Sequence, residues 1–198
     1  MKKLIFLCSS IYFYSAILLF FMSGCEKYSD EIQANLAKLK ETKSCSGCDL
    51  TGIELTGFDL KSADLSKTNL TGANLRRSNL TRANLSNANM ENADLLGANL
   101  TDATLVNTNL TNVKLSYANI NGAKLSNVLL VGAKLNNAKI VDSKISHSDM
   151  ADANLYSTNL TGTKISEKTL KDVVLCKTIM PDGHLENSGC TRTVWPKN

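Results

Sequence analysis

The residues of this chain able to do chemistry are few, and their spacing already sorts them. There are six cysteines: Cys8 and Cys25 near the start, Cys45 and Cys48 three apart, and Cys176 and Cys190 fourteen apart. Paired thiols can close a disulfide, hold a metal or exchange electrons. There are two histidines, His147 and His184, and no nucleophile pairs with either in a recognisable motif. Lys124, Lys144 and Lys164 recur at intervals of twenty, a spacing that could line cations up toward an anion. No glycine-rich phosphate loop is present, because Gly52, Gly57, Gly72 and Gly97 are spaced by multiples of five. Asn-Leu-Thr triplets at 69–71 and 99–101 imitate glycosylation sequons but arise from the same spacing. Which chemistry is real depends on the elements that carry these residues.

Those elements follow one rule. From Leu50 to Met180 every fifth residue is apolar: of 27 positions, 20 are Leu, four are Ile (Ile120, Ile140, Ile145, Ile165) and three are Met (Met90, Met150, Met180). A helix needs an apolar period of 3.6 and a half-buried strand a period of 2, so five fits neither. Two residues before each central apolar one stands a second constrained position, which is Ala, Ser, Thr or Cys at 21 of the 27 sites. Large residues there concentrate at Ile53 and Phe58. One large and one small inward residue per five describes one short side of a square tube, with four sides to a coil of twenty.

Ala73-Asn74-Leu75, Ala83-Asn84-Leu85, Ala93-Asp94-Leu95, Ala98-Asn99-Leu100 and Ala153-Asn154-Leu155 resemble the pentapeptide-repeat family, whose unit is A-(D/N)-L-x-x. The resemblance spans residues 48–180 and implies an all-β fold, a right-handed quadrilateral β-helix. With strands ~4.8 Å apart, just under seven coils make a tube roughly 30 Å long. Its core is a stack of Leu ladders at ~1.5–3 kcal/mol per buried side chain, which leaves no room for a ligand. Both open ends need covers. Residues 30–43 read as a short α-helical cap, with Asp30 as N-cap and Ile32, Leu36 and Leu39 as one stripe. Lys168 falls on an inward slot, where an unpaired charge is untenable, so regular coiling is expected to loosen after about Ile165. Residues 181–198, with Pro181, Gly183, Gly189 and Trp195, read as a looped C-terminal cap.

The first residues read as an address rather than as fold. Lys2 and Lys3 precede an apolar run from Leu4 to Phe21 and then Met22-Ser23-Gly24-Cys25, the layout of a bacterial secretory signal. Ser23 and Gly24 before Cys25 resemble a lipobox, which implies lipidation of Cys25. An uncleaved anchor or simple secretion are the alternatives, and for an anchor the run from Leu4 to Phe21 is barely long enough to span a membrane. The organisation is then signal peptide 1–24, lipidated cysteine, linker and helical cap 25–47, repeat domain 48–180, and C-terminal cap 181–198. The expected location is outside the cytoplasm, lipid-anchored to a bacterial membrane and facing the periplasm or the cell exterior. Four cysteines remain in the mature chain as two close pairs, and an even number outside the cytoplasm points to disulfides. A zinc site needs four ligands together, whereas these pairs flank opposite ends of the tube. A thioredoxin-like Cys45-Ser-Gly-Cys48 would need a βαβ setting, which is absent.

Charge limits the function. Some pentapeptide-repeat proteins imitate duplex DNA with a strongly acidic surface and so bind type II topoisomerases. Residues 49–180 here carry 14 Lys and Arg against 12 Asp and Glu, which argues against that role and against a nucleic-acid partner. The outward residue before each central one is acidic in the first coil (Asp49, Glu54, Asp59, Asp64), mostly Asn in the middle, and often Lys from Lys114 on. The column Lys124, Lys144 and Lys164 reads either as an anion-facing stripe or as a solvated face that discourages aggregation. The chain is expected to be non-catalytic, with no metal or cofactor. It would act as a membrane-tethered scaffold or interaction module of the cell envelope, or alternatively as a purely structural spacer. Its expected partners are the membrane, through the lipid, an envelope protein or anionic ligand, and a second copy through an end cap.

Overall fold

The structure is a computed structural model, and it describes residues 27–190. The signal segment, Cys25 and Trp195 lie outside the described residues. The chain enters through helix α1, Asp30–Thr42. Ser29 rather than Asp30 is its N-cap: Ser29 Oγ accepts the Ile32 N–H at 3.3 Å. Asp30 and Glu31 then form an acidic first turn, which favours the positive end of the helix. Leu39 is buried, and Ile32, Leu36 and Tyr28 pack against the core beside it. The same segment meets polar groups of the first coil. Asn35 donates to the Asp49 carbonyl, and the Glu54 N–H donates to the Tyr28 hydroxyl, both at 3.0 Å.

From Ser44 onward the backbone bridges to itself twenty residues on. Ser44 pairs with Asp64, Asp49 with Asn69, Glu54 with Asn74 and Asp59 with Asn79, all parallel, and the four columns end at Lys164, Asp149, Val174 and Ile179 respectively. Four columns in a twenty-residue register give four sides per coil. The ladder begins four residues ahead of the boundary at 48, so the segment Cys45–Cys48 is already one side of the first coil. Most sides carry a single bridge because a corner follows at once. At one corner the Ile53 N–H donates to the Leu50 carbonyl at 3.2 Å, with Gly52 left-handed at φ 63°. Gly, Asn and Asp tolerate this conformation and occupy many such corners, but Tyr117 adopts it too, at φ 62°.

Inside, the central residues from Leu50 to Leu160 are all buried, with the small slots stacked beside them. Where a slot holds a hydroxyl, it bonds the coil below, except at Ser78, which donates to the Leu75 carbonyl of its own coil at 2.8 Å. Thr68 donates to the Cys45 carbonyl at 2.9 Å, Thr108 to Leu85 at 2.9 Å and Thr158 to Leu135 at 2.7 Å. These bonds remove the cost of burying an unpaired hydroxyl. Ser148 uses its hydroxyl differently: it donates to the Leu125 carbonyl and accepts the Val128 N–H, both at 3.2 Å. The corner after Leu125 opens accordingly. Here the bridge lengthens into strands β1, Lys124–Ser126, and β2, Lys144–Ser146, in parallel register.

Regular coiling breaks where Lys168 meets an inward slot. The chain turns Lys168 to solvent and forms a 3-10 helix, Glu167–Leu170, whose N-cap Ser166 accepts the Thr169 N–H at 3.3 Å. This interrupts the ladder below. Asn127 donates to the Ser146 carbonyl at 2.9 Å and Leu130 to Asp149 at 2.7 Å, but His147 and Met150, one coil on, make no such bonds. The Asp152 N–H then reaches Asp172 at 3.0 Å, one residue late, and Leu155 to Val174 at 3.0 Å restores the register. In the last coil Ile165, Leu170, Leu175 and Met180 are only half-buried. The region after 180 is not all loop: β4, Leu185–Glu186, pairs antiparallel with β3, Thr178–Ile179.

Candidate functional site

The lysine column expected from the spacing is present. Lys124 and Lys144 are register partners across β1 and β2, and Lys144 bridges to Lys164. All three are exposed, and among the described residues none of them makes an ion pair. Another column behaves differently. Lys114 stands directly above Asp94 and pairs with it at 3.7 Å, and Arg76 reaches the same carboxylate at 3.4 Å. The unpaired column therefore keeps its charge uncompensated, and neighbours in it repel by roughly 1 kcal/mol even in water.

At its C-terminal end the column opens into a surface groove of about 730 Å³, where the 3-10 helix has lifted away from the coil below. Lys144, Lys164 and Lys168 line it with His147, Ser166 and Thr169; Asp149 is the carboxylate in the wall. Sequence reasoning placed Lys144 and Lys164 in a stripe but did not place Lys168 with them. The available signal was the misfit of Lys168 in an inward slot. What the sequence did not reveal was where that side chain would go.

The cysteines fall as two disulfides, Cys45–Cys48 with Cα atoms 5.3 Å apart and Cys176–Cys190 with Cα atoms 4.8 Å apart. Each lies at its own end of the tube, so neither takes part in a shared site. His147 is exposed at a left-handed corner. His184 lies between two carboxylates, with Nδ1 against Asp182 Oδ1 and Nε2 3.9 Å from Glu186 Oε2. The His184 backbone N–H and then its side chain hold the Asp182 carboxyl below its usual range. The Ser188 N–H is the main cause that lowers Glu186. At the other end, the Lys43 ammonium lowers Asp59, which it meets at 2.8 Å, and Ser66 lowers Asp64 through its hydroxyl and its N–H. Among the described residues no three His, Cys, Asp or Glu side chains converge as a metal site, and no helix is long and apolar enough to cross a membrane.

The sequence pattern has a counterpart among known families. The model for pentapeptide repeats matches in eight copies, covering residues 44–82, 78–116, 95–132, 114–152 and 133–167. Three solved structures are similar. HetL, a pentapeptide repeat protein involved in heterocyst differentiation regulation in the cyanobacterium Nostoc, is 22% identical over 76% of this chain and 97% of its own, with a TM-score of 0.29. A pentapeptide repeat protein of the Arabidopsis thaliana thylakoid lumen is 22% identical over 73% of this chain and 79% of its own, at 0.39. QnrB1, a plasmid-mediated fluoroquinolone resistance protein, is 20% identical over 63% and 71%, at 0.33. At these identities and scores they carry no functional argument. No curated protein matches the chain.

Proposed function

The chain belongs to the pentapeptide-repeat family, and from that premise we propose that it is a non-catalytic scaffold or interaction module tethered to a membrane of the bacterial envelope. One observation carries the reading: the tube is solid. Every central residue from Leu50 to Leu160 is buried against its neighbours, so nothing can bind inside. The variation that solvent can reach lies on the outward columns and the corners, which is where a partner would read the molecule. The coils wind right-handed in this reading, and α1 closes the first of them.

The tether rests on the sequence. Lys2, Lys3, the apolar run and Met22-Ser23-Gly24-Cys25 support export and lipidation of Cys25. Two end disulfides fit an oxidising compartment. Helix α1 starts five residues after Cys25, so a lipid there would keep the N-terminal end of the tube within about 18 Å of the bilayer. The last coil would then stand roughly 30 Å further out if the tube is upright.

Two experiments test this. Labelled palmitate should enter the wild-type protein and not Cys25→Ser, and equal incorporation would rule out the tether at this site. Affinity capture from envelope extract should recover the same partner with wild type and not with a variant whose outward lysines are replaced. Recovery of nothing specific would leave a spacer.

A further inference from the structure

We propose that the groove at the end of the lysine column is a binding site for a phosphate group, carried by a soluble phosphate ester or by a phospholipid headgroup. The proposal rests on the interaction-module reading and names the ligand class of one face. Two independent observations support it.

The first is charge. Lys144, Lys164 and Lys168 converge on one concavity, and the single carboxylate of Asp149 leaves a net of two positive charges. A phosphate monoester at neutral pH carries about −1.5 to −2 and matches this charge, while the diester of a phospholipid headgroup carries about −1 and offsets half of it. Lysine ammonium groups bind phosphate as point charges. The Asp149 carboxylate is partly engaged already, since its Oδ1 accepts the Ala151 N–H at 3.0 Å. Elsewhere on the tube a lysine above an acid is neutralised by it, as Lys114 is by Asp94. The groove lysines make no such pair among the described residues.

The second is the break in the ladder. At equivalent corners the N–H donates to the coil above, as Asn107 does to Ser126 and Asn127 to Ser146, both at 2.9 Å. At His147 no ladder bond forms, because the 3-10 helix has drawn Ser166 away to cap itself. A backbone donor is thus left at a left-handed corner beside the lysines, the kind of backbone geometry that binds anions elsewhere. Ser166 and Thr169 add hydroxyls on the opposite wall, bonded to each other at 2.8 Å. At about 730 Å³ the groove is within the range of small-molecule clefts. Lys168 accounts for both observations: it supplies the third cation, and its refusal of the inward slot opens the space.

The test is calorimetric titration of the full chain, in nonionic detergent at low ionic strength, with inorganic phosphate. Parallel titrations with phosphatidylglycerol and with phosphatidylcholine, each carried in mixed micelles of the same detergent so that the lipid anchor of Cys25 contributes equally to both, separate the sources. Saturable phosphate binding without preference for phosphatidylglycerol indicates a soluble ester, and binding confined to phosphatidylglycerol indicates a headgroup. In either arm Lys168→Gln and Lys164→Gln should each weaken binding at least tenfold. Lys134→Gln, on another column, should change it less than twofold. Circular dichroism of each variant confirms that it is folded. Absence of saturable binding in both arms, or equal losses from Lys168→Gln and Lys134→Gln, would overturn the proposal. Palmitate labelling and partner capture are unaffected by either outcome.

Discussion

The two ends of the tube solve one problem differently. At the N-terminal end the five-residue rule is intact up to the edge: the coil starts at Ser44, and Leu39 of α1 lies buried on it. Asn35 and Tyr28 satisfy backbone groups of the first coil, and Lys43 pairs with Asp59 at 2.8 Å. At the C-terminal end the rule fails before the coil is finished. Lys168 swings out, the ladder skips at His147, the last central residues are half-buried, and a short hairpin follows them. An end covered by a separate element can keep its coil regular. An end closed by the coil's own irregularity gives up packing and gains an open, charged concavity.

The comparison can be broken most severely from within. Ala98→Lys puts a charge into the Leu stack midway between the ends and should cost roughly 3–5 kcal/mol. Asn99→Lys, on the outward column, should cost almost nothing, because Lys139 occupies that same column. Thermal unfolding of the pair checks it, and equal melting temperatures would contradict the facing of the residues.

Removing the disulfides should separate the ends. In the chain-entropy account the link between Cys176 and Cys190 is worth about 3 kcal/mol and the shorter Cys45–Cys48 loop about 2 kcal/mol. Limited proteolysis of the Cys176→Ser/Cys190→Ser protein should cut first near the hairpin. Cleavage starting in α1 would reverse the ranking of the two ends.

Lys168→Ala should make the C-terminal end resemble the rest of the tube. Alanine fits the slot, which lets the ladder bonds of His147 and Met150 form, and two such bonds are worth about 2 kcal/mol. A higher melting temperature with loss of the groove is the expected outcome, and a lower one would mean that Lys168 is not what lifts the chain. A smaller gain should come from Tyr117→Gly, which relieves a left-handed aromatic residue 65% exposed to solvent, by about 1 kcal/mol in chemical denaturation.

Acid should act weakly at both ends. Asp59 and Asp64 near α1, and Asp182 and Glu186 in the hairpin, all have carboxyls held below their usual range. Their stabilising contribution is complete above the ordinary carboxylate pKa of about 4 and is lost as pH falls through the lower folded values. A melting temperature that rises on acidification below pH 4 would contradict this sign.

Much of this was legible in the residues because inward positions leave little freedom. Leu at every fifth place and Ala two before it encode the coil, and Lys168 encodes its failure. The stripe of Ile32, Leu36 and Leu39 encodes the helix that packs on the first coil. Less was legible where two residues could serve equally. Ser29 and Asp30 are both capable caps, and the choice was settled by which oxygen reaches the Ile32 N–H. The three-dimensional consequence of Lys168 was not legible, because a period states where a side chain cannot go and not where it goes instead. Nor was the hairpin of β3 and β4, which is two residues to a strand and too short to show alternation.

Residue-resolved amide hydrogen exchange tests the central claim most directly, since that claim is one twenty-residue ladder with one interruption. The N–H groups of Asn107, Asn127 and Gly132 should exchange slowly because each is held by the coil above. That of His147, at the equivalent corner, should exchange faster by orders of magnitude. Slow exchange at His147 matching Asn127, or fast exchange throughout the middle coils, would contradict the account.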